Sequence, residues 1–206
     1  MKETDIYSEL SSIRNLMERS TKFISLSGLS GVMAGLYALI GAFVGYRLVY
    51  QENSGLRLRD FYVNDPLVLW PLFLIALVVL FLSISTGVWL TIRQAKRKGE
   101  NFWNPVSKRL FINLAIPLVT GGLFILVLIL RGEYDIIAPV SLIFYGLALI
   151  SGSHYTYSDV KYLGFFEIGL GLLAALMPGF GLILWVIGFG FMHILYGSIM
   201  HFKYDK

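Results

Sequence analysis

The sequence predicts an all-α fold of the polytopic membrane class: a bundle of six transmembrane helices preceded by an amphipathic N-terminal helix. Three observations predict it. Hydrophobic residues make up 56% of the 206 and charged ones only 15%, against roughly 45–50% and 25% in a soluble domain. Six mostly apolar stretches each approach the ~20 residues a spanning helix needs, and little chain is left over for a soluble domain. The basic residues gather at the ends of those stretches, where membrane topology accounts for the net charge of +4 better than nucleic acid does.

Residues 1–22 form the first unit. Ile6, Leu10, Ile13 and Met17 fall on one helical face, with Glu9, Arg14, Glu18 and Arg19 elsewhere around the circumference. This is the pattern of a helix lying on the membrane surface, and its mixed charges before any apolar run are not those of a cleaved signal peptide. Residues 23–206 form the second unit, the membrane domain. Its first apolar stretch, residues 23–46, carries Ser27, Gly31, Gly35, Ala38, Ala42 and Gly45 along one stripe. Small residues at that spacing let a neighbouring backbone approach closely, either in a second copy of the chain or within the monomer.

A polar loop, residues 47–65, leads into the second stretch, 67–92, which has Pro71 in its first turns and Ser83, Ser85 and Thr86 in its second half. The loop RQAKRKGENFWNPVSKR, residues 93–109, is the most basic part of the chain and is therefore placed on the cytoplasmic side. The third stretch spans 110–130, and the turn RGEYD carries the chain into the fourth, 136–157. The fifth runs over 162–176 and the sixth over 181–202, joined by MPGFG. With the basic loop inside, both termini and the turn between the fourth and fifth stretches are also cytoplasmic, and the net acidic RGEYD lies outside. Setting Pro71 against Pro139 matches Leu74 to Leu142 and Ile75 to Ile143, and pairs Ser83 and Ser85 with Ser151 and Ser153. On that alignment the second and third stretches would repeat the fourth and fifth in parallel.

The candidate site comes from the few polar side chains inside the apolar stretches. Asn113 shares a helical face with Pro117 and Gly121, Glu167 with Gly171 and Ala175, and His193 with Gly197 and His201. Faces lined by small residues are packing faces, so these polar groups are expected to point into the bundle. At about 1.5 Å per residue, Asn113 lies roughly 6 Å beyond Arg109, Glu167 roughly 9 Å beyond Lys161, and His193 roughly 15 Å before Lys203. His154, Ser151 and Ser153 stand at the inner end of the fourth stretch. Glu167, His193, Asn113, His154, Ser151 and Ser153 are thus the expected ligand-binding residues, in a polar cavity of the cytoplasmic half. An ionisable group in the membrane costs about 2.5–3.5 kcal/mol even on insertion scales and is usually functional, which makes Glu167 the foremost of them.

These residues also bear on chemistry. With no cysteine, a disulfide, a thiolate metal site and a cysteine nucleophile are excluded. Three histidines with Asp159 and Glu167 supply ligand types that zinc accepts. That inventory is loosely similar to the intramembrane zinc hydrolases of the receptor and ceramidase superfamily, but their closely spaced histidine pair is missing, since His193 and His201 are two turns apart. No Gly-x-Ser-x-Gly elbow, phosphate loop or HExxH motif occurs. No cofactor is expected, and enzyme chemistry is the less favoured reading.

The segments ERSTKFISLSGLSGVMAGLYALIGAFVGY and GFGFMHILYGSIMHFKY resemble those of an uncharacterised family of small bacterial six-helix inner-membrane proteins. The resemblance implies a bacterial plasma membrane location and brings no activity or site residue with it. The functional expectation is a membrane protein that handles a small ligand or ion in transport or permeation. The alternatives are a membrane-embedded regulatory or scaffold protein and, third, a metal-dependent intramembrane hydrolase. Expected partners are the lipid bilayer, a second copy of the chain, and a cytoplasmic protein docking on residues 1–22 and the 93–109 loop, with no nucleic acid.

Overall fold

The computed structural model describes residues 22–50 and 66–205, and these are all-helical, with no strand among them. The amphipathic segment 1–21 and most of the polar loop, 51–65, lie outside the described residues. Six helices are present: α1 Gly28–Tyr50, α2 Pro66–Arg97, α3 Pro105–Arg131, α4 Ile137–Ser153, α5 Val160–Leu176, and α6, which covers 181–204. The sixth is composite, with α-helical turns at Gly181–Trp185 and His193–Tyr204 around a π-helical segment, Val186–Met192.

Four of the helices (α1, α2, α3 and α6) are long and apolar enough to cross a membrane. At 17 residues each, α4 and α5 are shorter, about 26 Å at 1.5 Å per residue against a hydrocarbon core of roughly 30 Å. These two are the most closely packed pair in the bundle. The reason lies in their glycines: a Cβ at Gly146 would sit 2.5 Å from the Gly164 carbonyl oxygen, and one at Gly164 would sit 2.7 Å from the Gly146 oxygen. Each backbone occupies the space that a side chain on the other would need.

The same device joins α1 to α6. Gly35 lies against the Gly190 carbonyl and Ile194, and Gly31 against Gly197, so the small-residue stripe of the first stretch is packed within the monomer. Ala38 and Ala42 on it are buried. Around this centre α2 rests on α1, and α3 rests on α4. A parallel repeat would require α2 and α3 to pair as α4 and α5 do, but α2 and α3 make little contact with each other. The alignment of Pro71 with Pro139 thus reflects shared apolar composition rather than shared packing.

Helix ends depart from the apolar stretches where polar contacts set them. The first helix starts at Gly28 rather than Phe23 because 22–27 form a non-helical strap across one end of the bundle. Phe23 N–H donates to the Tyr155 carbonyl (2.7 Å), Thr156 Oγ1 donates to the Phe23 carbonyl (2.8 Å), and the Tyr157 hydroxyl donates to the Ile24 carbonyl. Lys98 Nζ reaches the same Ile24 carbonyl at 2.7 Å. Beneath the strap α2 continues past Ile92, burying Gln94 and Ala95. Asn104 opens α3 five residues before the apolar run, with a capping box: its Oδ1 accepts from Val106 and Ser107 N–H, and Ser107 Oγ accepts from Asn104 N–H. Gly132, at φ 75°, closes α3 in the left-handed conformation that glycine adopts without strain.

The C-terminal tail locks this end. Asp205 accepts from Gly28 N–H (2.9 Å), Ser27 Oγ (3.2 Å) and Gln94 Nε2 (3.3 Å), and meets His201 Nδ1 at 3.0 Å. One carboxylate therefore caps α1 and ties it to α2 and α6. Lys203 Nζ and the Tyr204 hydroxyl both donate to Asp159 Oδ2, at 2.6 and 2.9 Å. The strap, the 98–104 link, the 154–159 turn and the tail meet at one end of the bundle.

The hydrogen bond from Lys203 holds the Asp159 carboxyl below the usual carboxylate range. A depressed folded-state pKa means stability that is present above the ordinary value of 3.8 and is lost as pH falls through the lower folded value. Thermal melts of wild type and Asp159→Asn should differ at neutral pH and converge under acid; a difference that persists in acid would show that the Lys203 contact is not its source.

A buried carboxyl, histidine and tyrosine form the candidate site

The α5 helix turns Leu163, Gly164, Glu167, Gly171 and Ala174 inward, and Glu167 is completely buried at 0% exposure. Space for its carboxyl comes from α6: a Cβ at Gly188 would lie 2.5 Å from Glu167 Oε2 and 2.7 Å from Leu142 Cδ2. A side chain at 188 would thus displace the Glu167 carboxyl and the Leu142 methyl from their present places. Gly188 belongs to the π-helical segment, whose wider turns are frequent at functional sites. Gly188 and Gly190 there let α6 pass close to the carboxyl and to α1.

His193 is 4% exposed and begins the last α-helical part of α6. Its Nδ1 lies 2.9 Å from the Gly188 carbonyl oxygen and 3.4 Å from Glu167 Oε1. Its Nε2 lies 2.7 Å from the hydroxyl of Tyr145 on α4. A carbonyl can only accept, so Nδ1 carries a hydrogen; in the neutral ring Nε2 then accepts from Tyr145. Phe189 stacks on His193 and, with Trp185 beyond it, walls this side of the ring with apolar surface.

Glu167 and His193 come together as two titratable groups in direct proximity. A neutral imidazole beside a protonated carboxyl and an imidazolium beside a carboxylate contain the same atoms, differing in the position of a proton across 3.4 Å. Neither Glu167 oxygen has a hydrogen-bond partner, because the His193 N–H is directed at the Gly188 carbonyl. Buried polar groups are nearly always bonded, so this carboxyl is an exception.

The other expected residues are placed elsewhere. Asn113 is half-buried on α3, and its Nδ2 donates to the Arg109 carbonyl one turn back (2.8 Å). Ser153 is buried and its Oγ donates to the Ile150 carbonyl (2.6 Å). Ser151 is half-buried near the end of α4, and His154, just past that end, is exposed. Asparagine and serine can satisfy themselves on their own helix, so their presence in a span does not bring them to a shared centre. Tyr145 and Gly188, which sequence reasoning missed, complete the centre in their stead. Position gave a signal for Tyr145, which stands mid-helix and not in an interfacial belt. Among the described residues no three His, Asp or Glu side chains stand close enough to share a metal ion; His201 is engaged with Asp205, far along α6 from His193.

Comparison with family models, curated proteins and solved structures finds no match to this chain.

Proposed function

We propose that this chain is a multi-pass protein of a bacterial plasma membrane, crossing it six times with both termini cytoplasmic, and that it handles a small ligand or ion in transport or permeation. Its working centre on this reading is Glu167, His193 and Tyr145. The observation that carries it is the fully buried Glu167 carboxyl with two oxygens lacking a hydrogen-bond partner. An ionisable side chain inside membrane helices is costly and is retained where it pairs, conducts or binds. Orientation follows from charge: Arg93, Lys96, Arg97, Lys98, Lys108, Arg109, Lys161 and Lys203 all lie toward the end where strap and tail meet, and such an excess faces the cytoplasm. In a locally thin bilayer, or with the snorkelling of Lys161, the short α4 and α5 span as well.

The test is reconstitution into liposomes with a panel of imposed gradients of protons, alkali cations and small anions. Wild type should dissipate one of them, and Glu167→Gln, which keeps shape and removes the titratable group, should lower that flux to the level of empty liposomes. Equal flux through Glu167→Gln would remove the site from the transport path.

A further inference from the structure

We infer that the species handled at this site is the proton, and that it travels between the bundle's polar end and Glu167 along a row of tyrosines on one face of α6. This rests on the reading above that Glu167 is the working group. The row is His193, Tyr196 and Tyr204, at spacings of three and eight residues, so the three side chains share a face. Tyr145, Tyr196 and Tyr204 all pack against one buried cluster, formed by Leu149, Tyr157, Val160, Leu163 and Met200.

Each end of the row is bonded, and its middle is not. At the inner end Tyr145 is 2.7 Å from His193 Nε2. At the outer end Tyr204 donates to Asp159, which also holds the exposed Lys203. Tyr196 packs on the same buried cluster as Tyr145 and Tyr204. Its hydroxyl is buried and has no hydrogen-bond partner. Among the described residues the buried side-chain atoms without a partner are this hydroxyl and the two oxygens of Glu167. Both belong to the row or to its end point, which a packing account does not explain. A hydroxyl is a donor and an acceptor at once, and a buried one without a fixed partner is free to pass a proton through a bridging water.

The transfer balances hop by hop. A proton taken up at Asp159 and Tyr204 passes through bridging water to the Tyr196 oxygen, whose own O–H proton leaves toward Tyr145. Tyr145 takes that proton and gives its own to His193 Nε2. The imidazolium so formed releases its Nδ1 proton to the Glu167 carboxylate, breaking N–H and forming O–H. The neutral ring is left as its Nε2–H tautomer, to be returned to the Nδ1–H form when the proton leaves Glu167. Each tyrosine ends as it began, and one proton has moved to Glu167. The facing titratable groups are Tyr145 from α4, Glu167 from α5, His193, Tyr196 and Tyr204 from α6, with Asp159, Lys203 and Tyr157 at the outer end.

The experiment is hydrogen–deuterium exchange at the His193–Glu167 pair, followed by infrared spectroscopy of the purified protein after transfer to D2O, the pair's bands being identified by subtraction of the Glu167→Gln spectrum. Tyr196→Phe deletes only the unpartnered hydroxyl and should not lower the melting temperature. It should slow exchange of the pair by about tenfold or more, the cost of losing one relay step. Tyr145→Phe should do the same. Exchange at the wild-type rate in Tyr196→Phe, or wild-type bands that do not exchange, would overturn the relay. Normal relay behaviour in a protein that moves no ion across liposomes would instead sink the transport reading alone.

Discussion

Glu167→Met should melt at a higher temperature than the wild type while losing the activity of the site. The carboxyl is removed from water without gaining a hydrogen bond on either oxygen, and a buried polar group left in that state costs about 1–3 kcal/mol. Methionine has a similar length, and its flexible thioether adapts to an irregular space. Nothing else is stranded by the change: His193 Nδ1 keeps the Gly188 carbonyl and Nε2 keeps Tyr145. Stability should therefore rise by about 1–3 kcal/mol, read as a higher midpoint in thermal unfolding of the detergent-solubilised protein. A midpoint at or below that of wild type would mean that the carboxyl is satisfied in the folded protein. On the proposed function a destabilising group is kept at this buried position for use, so this measurement and the loss of flux in Glu167→Gln bear on one claim from two sides.

How far the sequence could be read depended on which physical constraint each residue obeyed. Apolar length alone marked all six helices, because composition and span length are properties of the chain and not of its packing. The ends were less legible: Phe23 begins an apolar run yet is fixed in the strap by Tyr155 and Thr156, partners 130 residues distant that no local pattern announces. Glu167 and His193 were legible from faces shared with Gly171 and Gly197, both buried, since close helix contact leaves a trace in small residues. Asn113 lies on such a face too, in line with Gly121, which packs on Phe144, yet its amide turns to the Arg109 carbonyl. Face assignment limits where a side chain starts and not where it finishes. The π-helical segment was hidden for a further reason. Its glycines read as ordinary packing residues, and the demand that Gly188 make room for Glu167 exists only once α5 and α6 are side by side.

That dependence on glycine is steep at Gly197, where replacement by alanine is expected to cost about 3 kcal/mol or more, the upper range for overpacking. A Cβ there would lie 2.5 Å from Val32 N, 2.7 Å from the Gly28 carbonyl oxygen and 2.9 Å from Gly31 C. All three are backbone atoms of α1, so no side chain can swing aside and the helix itself must retreat. Retreat pulls Gly28 N–H away from Asp205 and loosens the cap that ties α1 to the tail. It also separates Gly35 from Ile194 and Gly190, about one and two turns back from Gly197, the latter within the π-helical segment that shapes the site. Gly122 and Gly169 provide the contrast. Both are helical, exposed and with nothing within 4 Å of an added Cβ, so alanine there should be neutral or should stabilise by up to about 1 kcal/mol through helix propensity. Thermal unfolding of the three variants in one detergent separates the cases: a large loss confined to Gly197→Ala identifies backbone contact between α1 and α6 as what holds the centre together. Equal behaviour of all three would place the strength of the bundle in the polar end, in Asp205 and the strap.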